Sequence, residues 1–302
     1  MAQRPSTFDF VLSVENNLYQ AWQAMLFHFS CWTHERQAPL VVVHQGDEPL
    51  LEGFERIAAA GGRVQAAPNF RNVDGYIYPP RNTPATLRFA ETEAEYVVLC
   101  EPDMVFLQSM RLEQLGMTPK RVSFDRLNYL DANREEYQPA LDEVCRQIGL
   151  APQLLRTRPI NGGVPHVMPT RFIAEIGELW MAGLERFVQF ARERATQSHS
   201  EPEIHWVSGM WSTVLAVHRL GLEPIITDFC LSNEKGTRPL PPIEPDGPAI
   251  IHYCYGGDDF NKRDYSDLDG AMQRVWRVPP DDGTINGAIR GQLRSAREFY
   301  RL

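Results

Sequence analysis

The sequence lacks most of what marks a chain for a membrane, an oxidising compartment or a nucleic acid. No stretch of its 302 residues approaches the ~18–20 consecutive apolar residues needed to span a bilayer. The opening residues Met1-Ala2-Gln3-Arg4-Pro5-Ser6 carry no apolar signal region. Five cysteines stand far apart, at 31, 100, 145, 230 and 254, and no Cys-x-x-Cys pair occurs. Neither a zinc site nor a disulfide framework is expected, and a reducing, cytoplasmic setting is. Positive charge is scarce: 30 Lys and Arg against 39 Asp and Glu give a net charge of −9. That balance excludes general affinity for nucleic acid or anionic membrane, and leaves room for a local basic pocket. There is no internal repeat, coiled coil or low-complexity segment.

What is present reads as a globular α/β chain, with 43% apolar and 23% charged residues. Apolar runs at Phe8 to Val14, Leu40 to Val43, Arg63 to Ala67 and Tyr96 to Cys100 predict strands. Between them, Leu18 to Phe29, Leu50 to Ala60 and Pro84 to Glu93 have helical spacing, the second stopping at Gly61-Gly62. This alternation predicts a mostly parallel central sheet flanked by helices. Further on, Val122 to Phe124 predicts a strand and Pro139 to Ile148 a helix. Ile160 to Met168, with Gly162, Gly163 and Pro165, predicts a kinked or edge strand. Thr170 should cap a long helix through about Arg194, and Ala195 to Pro202 should be a loop. A helix over His205 to Leu220 and strands at Glu223 to Thr227 and Ala249 to Tyr253 follow, with Leu231 to Gly247 a mobile surface loop.

Glu101-Pro102-Asp103 ends the Tyr96 to Cys100 run. Two carboxylates at the C-terminal lip of a strand are costly to hold together without a counter-charge, and ligands of open α/β sheets bind at that edge. A divalent cation with oxygen ligands, Mg²⁺ or Mn²⁺, fits. Alone, acid-x-acid is more often a surface turn with two solvated acids, so the downstream residues decide.

Three segments bear on this. His252-Tyr253-Cys254-Tyr255-Gly256-Gly257 follows a predicted strand, with Lys262 five residues later. The imidazole of His252 can complete a metal shell begun by Glu101 and Asp103. Gly256 and Gly257 allow backbone to approach a diphosphate, and Lys262 can neutralise it. A strand-end histidine with a glycine turn fits those residues equally. Asn161-Gly162-Gly163-Val164 offers an amide beside a sterically open wall suited to a sugar; it fits a β-bulge as well. Glu203, His205 and Trp206 open a helix and can meet sugar hydroxyls and C–H faces, or serve as cap and core.

Taken in order, strand, acid-x-acid, Asn161-Gly162-Gly163-Val164 and His252…Gly256…Lys262 resemble a metal-dependent GT-A glycosyltransferase, with motifs similar to those of glycogenin-like retaining enzymes. Ser13…Tyr19-Gln20-Ala21-Trp22-Gln23, Tyr78-Pro79-Pro80-Arg81-Asn82-Thr83-Pro84, Gly163-Val164-Pro165, Trp206 to Trp211 and His252-Tyr253 resemble the plant hydroxyproline O-arabinosyltransferase and peptidyl-serine α-galactosyltransferase group. The resemblance runs from about residue 8 to 265. It implies a single GT-A (nucleotide-diphospho-sugar transferase) domain over 1–302. Its nucleotide-binding half would span about 8–120 and its acceptor-side half about 121–265, with a C-terminal extension over 266–302. It implies transfer from a UDP-sugar, with Mn²⁺ or Mg²⁺, to a hydroxyl of a peptide, glycan or small molecule, with retention favoured. Glu101, Asp103 and His252 would hold the metal. Ser13, Arg88, Gly256, Gly257 and Lys262 would bind the donor. Asn161, Gly162, Gly163, Glu203, His205 and Trp206 would face sugar and acceptor. Glu203, His205 or Asp228 would be the base if the enzyme inverts.

The departures are Glu101 where the group has Asp, Gly209 where it tends to carry an acid, and a glycine and lysine that come later after His252 than in the glycogenin-like spacing. Two other readings stay open: an inactive sugar-nucleotide-binding scaffold and a sugar-nucleotide nucleotidyltransferase. Against the second, residues 8–20 contain no Gly, Lys or Arg for a basic phosphate loop.

Overall fold

The computed structural model describes residues 7–127, 129–157, 162–198, 204–257, 259–266 and 271–302, with backbone alone for 194–198, 204–206 and 271–272. In chain order the elements begin with β1 (Phe8–Glu15), α1 (Leu18–Glu35), β2 (Leu40–Gln45), α2 (Glu52–Ala59), β3 (Arg63–Pro68), β4 (Asn72–Val73) and β5 (Tyr76–Ile77). Then come α3 (Asn82–Phe89), β6 (Tyr96–Cys100), β7 (Met104–Phe106), β8 (Arg121–Asp125), α4 (Gln138–Ile148), α5 (Gln153–Thr157) and β9 (Gly163–Pro169). The chain continues through α6 (Ile173–Ser198), α7 (Ile204–Arg219), β10 (Glu223–Thr227), β11 (Cys230–Ser232), β12 (Ile250–His252), α8 (Ala271–Val275) and α9 (Ile285–Tyr300).

The main sheet has seven strands in the order β10-β8-β9-β6-β1-β2-β3. β1, β2 and β3 are parallel to one another, as are β10 and β8, while β9 runs antiparallel to β8. The expected α/β class with a mostly parallel sheet flanked by helices is therefore present. Among the described residues, no helix is long and apolar enough to cross a membrane.

The chain divides into two compact units. The first takes Phe70–Val98 and Gly116–Thr227 with the chain up to Phe8. Its interior is built by α4, α6 and α7, where Tyr137, Leu141, Phe187, Trp211 and Val214 are buried together. The second takes Asp9–Asn69, Leu99–Leu115 and Asp228–Leu302. Here β1 and β2 bury nearly every side chain, as strands covered on both faces must. Helix α1 packs Trp22, Met25 and Leu26 into the interior, and Phe106 meets the rings of Phe10 and Phe27 edge-on at 5.5 and 5.4 Å. Asn17 caps α1 by accepting from the Gln20 amide at 2.8 Å. Helix α9 lies against α1, with the Tyr300 hydroxyl 2.6 Å from His28 Nδ1.

Several expectations need correction. Strand β9 lies between β8 and β6 and is not at an edge. Its irregularity is real: from Ser123↔Val167 to Asp125↔Gly163 the register shifts, so β9 carries extra residues, Pro165 among them. A bulge is where a sheet tolerates a residue with no N–H to donate. Thr170 opens a 3₁₀ turn, Thr170–Phe172, instead of capping α6, which starts at Ile173 and runs to Ser198, into the expected loop. The segment expected as a loop from Leu231 holds part of β11, paired parallel to β12.

Candidate active site around Glu101, Asp103 and His252

Register explains how distant residues meet. Past β6 the chain turns through Glu101-Pro102-Asp103 into β7, which pairs antiparallel with β12 so that His252 lies opposite Met104. Beyond it, the Tyr253 amide donates to the Asp103 carbonyl at 2.9 Å, and the Tyr253 hydroxyl to the Pro102 carbonyl at 3.2 Å. Tyr253 thus ties β12 to both sides of the acidic turn, its ring buried and stacked 6.2 Å from Trp22. A buried tyrosine needs a partner for its hydroxyl, and the turn supplies one.

His252 Nε2 lies 3.3 Å from Glu101 Oε2 and 3.4 Å from Asp103 Oδ1. The three donor atoms lie within 4.8 Å of one another. Asp103 is buried, with Lys262 Nζ donating to its Oδ2; Glu101 is half-exposed. Burial would raise the Asp103 carboxyl, but the charges of Lys262 and His252 outweigh it and hold it well below the usual carboxylate range. Burial would lower His252, but the Asp103 charge and the acid oxygens beside it raise the imidazole well above its ordinary value. Lys262 follows the same pattern, lowered by burial and raised further by Asp103. Two carboxylates, one imidazolium and one ammonium balance the group's charge.

The donor set fits a hard divalent cation. Ligands of an octahedral Mg²⁺, each at about 2.1 Å, sit roughly 3 Å apart, near the separations found here. His252 Nε2 is buried, yet it makes no hydrogen bond of acceptable geometry with the two carboxylates it faces. The protonated ring pairs with both acids in metal-free protein, and the same Nε2, once deprotonated, faces the space in which they would share a cation.

Beyond Tyr253 the chain leads to Lys262, whose ammonium donates to Asp103. The Gly257 amide donates to the Phe260 carbonyl at 3.2 Å. A Cβ on Gly256 would come within 2.9 Å of the end of the Asn261 side chain, which would have to shift to admit it. Asn261 caps the 3₁₀ turn Lys262–Tyr265 by accepting from the Arg263 amide at 3.0 Å. The Trp22 indole donates to the Tyr265 carbonyl at 3.1 Å. Tyr19, on the first turn of α1, accepts from Gln23 Nε2 at its backbone carbonyl at 2.7 Å, and its hydroxyl lies in the field of Lys262 and Asp103; burial is the main reason its pKa is raised. Tyr19 and Tyr253 were not among the expected site residues. Each stood in a quoted motif, but only the fold shows which partner its hydroxyl reaches.

The second unit thus brings together Glu101, Asp103, His252, Lys262 and the Gly256–Gly257 turn. Ser13 is in the same unit, buried on β1 opposite Val42. Arg88, Gly162 and Gly163 belong to the first unit. Arg88 is exposed on the last turn of α3. Gly162 and Gly163 face packed backbone: added Cβ atoms would come within 2.7 Å of the Met210 carbonyl oxygen and 2.5 Å of that of Asp125. Their small size serves close approach of α7 and β8, where an open wall was expected. Behind them the buried His166 donates from Nε2 to the Gly162 carbonyl at 3.1 Å, and burial lowers its pKa to about 4. Asn161 and Glu203 lie outside the described residues. So do the side chains of His205 and Trp206, whose backbone forms the start of α7. Asp228 is exposed just after β10, and a side chain at Gly209 would meet open space.

No family model matches the chain, and no curated protein does. Solved structures with a similar chain course are glycosyltransferases. An active-site mutant of LgtC has a TM-score of 0.49 at 13% identity, covering 88% of this chain and 93% of LgtC. The bifunctional glycosyltransferase WbbM has a TM-score of 0.48 at 10% identity, covering all of this chain and 52% of WbbM. GlyE of Streptococcus pneumoniae TIGR4 has a TM-score of 0.47 at 10% identity, covering 89% of this chain and 64% of GlyE.

Proposed function

We propose that this chain is a metal-dependent glycosyltransferase of the GT-A type that moves a sugar from a UDP-sugar to a hydroxyl acceptor. The observation that carries the reading is the Glu101–Asp103–His252 group at the C-terminal lip of β6, with Lys262 on Asp103. Asp103 and His252 would hold Mn²⁺ or Mg²⁺, with Glu101, the more exposed of the two acids, completing the set. When bound, the cation supplies Lewis-acid stabilisation of charge on the departing diphosphate.

The chain's own residues do the rest. Lys262 moves from Asp103 to the diphosphate and keeps its charge there. The Gly256–Gly257 turn lets backbone approach the phosphates, and Ser13 helps hold the nucleotide. Tyr19 steers the Lys262 ammonium. Arg88, Asn161, Glu203, His205 and Trp206 are assigned to donor, sugar and acceptor by the resemblance, while Gly162 and Gly163 serve packing against α7 and β8. Retention is the favoured outcome, the acceptor proton passing to the leaving diphosphate. The acceptor class favoured by the resemblance is a peptide hydroxyl.

The test is incubation with Mn²⁺, a panel of nucleotide sugars and peptide, glycan and small-molecule acceptors, with products read by mass spectrometry and their anomeric configuration by NMR. A glycosylated product that needs the metal supports the reading. Nucleotide binding with no turnover for any donor or acceptor supports the scaffold instead, and an inverted linkage refutes retention.

A further inference from the structure

Helix α9 reaches the loop between His252 and Lys262 through a chain of polar side chains, of which Asn233, Asn286 and Arg290 are buried. Asn233, just after β11, clamps Tyr255 from both sides: its Oδ1 accepts from the Tyr255 amide at 3.0 Å, and its Nδ2 donates to the Tyr255 carbonyl at 2.9 Å. The same Nδ2 lies 3.4 Å from Asn286 Oδ1 on the first turn of α9. Asn286 Nδ2 donates to Asp259 Oδ1 at 2.7 Å, and Arg290, one turn on, donates from Nη1 to Asp259 Oδ2 at 2.9 Å. Arg290 is anchored in turn by Asp282 at 2.7 Å. Asn233, Asn286 and Arg290 are 3%, 1% and 3% exposed, so these groups have exchanged water for one another.

A buried amide or guanidinium left unpartnered is costly, so a chain of this kind holds one arrangement. Both acceptor oxygens of Asp259, on the loop side, are taken up by α9. Tyr255, one residue before Gly256, is held in both its backbone groups. The loop therefore has two fixed points on either side of the Gly256–Gly257 turn. The metal group depends on neither: Glu101 and Asp103 lie on the β6–β7 turn, and His252 is set by β12 pairing with β7.

We propose that Asn233, Asn286 and Arg290 are positioning residues that hold the Gly256–Gly257 turn in place for a diphosphate, so that α9 sets nucleotide affinity without setting metal affinity. The ligand named here rests on the glycosyltransferase reading; the loop-holding role does not. The test uses the full chain with Asn286→Ala and, from the half-exposed loop side, Asp259→Ala. Two readouts are taken: hydrogen exchange of amides 255–262, and UDP affinity at saturating Mn²⁺ beside Mn²⁺ affinity alone.

Both variants should speed exchange in 255–262 while leaving β6 and β12 unchanged. UDP binding should weaken about tenfold, as for one or two lost hydrogen bonds, with Mn²⁺ binding within about twofold of wild type. Unchanged exchange in both variants overturns the proposal. Faster exchange throughout the chain together with lost Mn²⁺ affinity also overturns it, since that is general destabilisation. If wild-type protein binds no UDP with Mn²⁺, the functional reading fails, and the exchange measurement still decides whether α9 holds the loop.

Discussion

The ammonium of Lys262 sits on Oδ2 of Asp103, inside the group of side chains suited to a divalent cation. Asp103 is buried and the Lys262 side chain is 13% exposed, and breaking such a pair from one side costs up to about 3–5 kcal/mol because the Asp103 charge is stranded. Lys262→Met should therefore lower the melting temperature of metal-free protein. Mn²⁺ should restore more stability to this variant than to wild type, because the cation replaces the missing charge. Sugar transfer should fall, since Lys262 no longer reaches the diphosphate. Thermal melts with and without Mn²⁺ check this; equal Mn²⁺ stabilisation of variant and wild type would contradict it.

Metal binding should release a proton. His252 has its pKa raised well above 6.5 by its acidic neighbours, despite burial, so it is protonated near neutrality in metal-free protein. A metal ligand must be neutral imidazole. Affinity for Mn²⁺ should then rise with pH above 6.5, by up to about tenfold per unit until His252 titrates. The stability that protonated His252 gives metal-free protein has the opposite sense: full below pH 6.5, lost as pH rises through the folded value. Calorimetry in buffers of differing ionisation enthalpy measures the proton count, which should fall toward zero in His252→Asn.

Acid should destabilise the fold in two separate windows. His28 and His166 are buried, and burial lowers each from 6.5 to about 4. The unfolded chain binds protons at these sites first, so stability drops as pH falls from 6.5 to 4, by on the order of 3 kcal/mol each. The Asp103 carboxyl is depressed, so its contribution persists above its ordinary value of 3.8 and is lost only below that. Denaturant midpoints between pH 7 and 4.5 test the histidine window; His166→Asn should flatten the curve there, and an unchanged slope would count against it.

The glycines of the first unit should respond oppositely to alanine. Gly163→Ala drives a Cβ to 2.5 Å from the Asp125 carbonyl oxygen, where backbone must move. A loss of about 1–3 kcal/mol or more is expected from such overpacking. Gly209 is in α7 with open space around it, so Gly209→Ala should be neutral or stabilising by up to about 1 kcal/mol. Chemical denaturation of the pair decides, and equal losses would mean that close approach is not what Gly163 serves.

Much of the second unit was legible because its signals are local. The apolar runs of β1 and β2 need no partner to be recognised, and acids at a strand's C-terminal end point to charge chemistry on their own. His252 and Lys262 could be matched to Asp103 by residue type, although only the β7–β12 pairing brings them into contact. For β9 the irregularity that Gly162, Gly163 and Pro165 signal is present, but the central position is not legible from them, because a central strand can hold these residues only where the neighbouring register gives way, which is a property of the pair. The small β4–β5 hairpin went unread although Asp74-Gly75 supplies its turn, both residues at positive φ. The polar side chains of α9 carry no local signal at all, since Asn286 and Arg290 take their meaning from Asp259 and Asn233.

The central claim is that Asp103 holds a catalytic metal, and the most direct measurement is Mn²⁺-dependent cleavage of UDP-sugars by wild type and Asp103→Asn. The substitution keeps shape and removes charge, and circular dichroism establishes that the variant is folded. The account predicts metal-dependent turnover in wild type and a loss of at least about a thousandfold in the variant, with added Mn²⁺ no longer raising its melting temperature. A folded Asp103→Asn protein that turns over within tenfold of wild type, or responds equally to Mn²⁺, would contradict it.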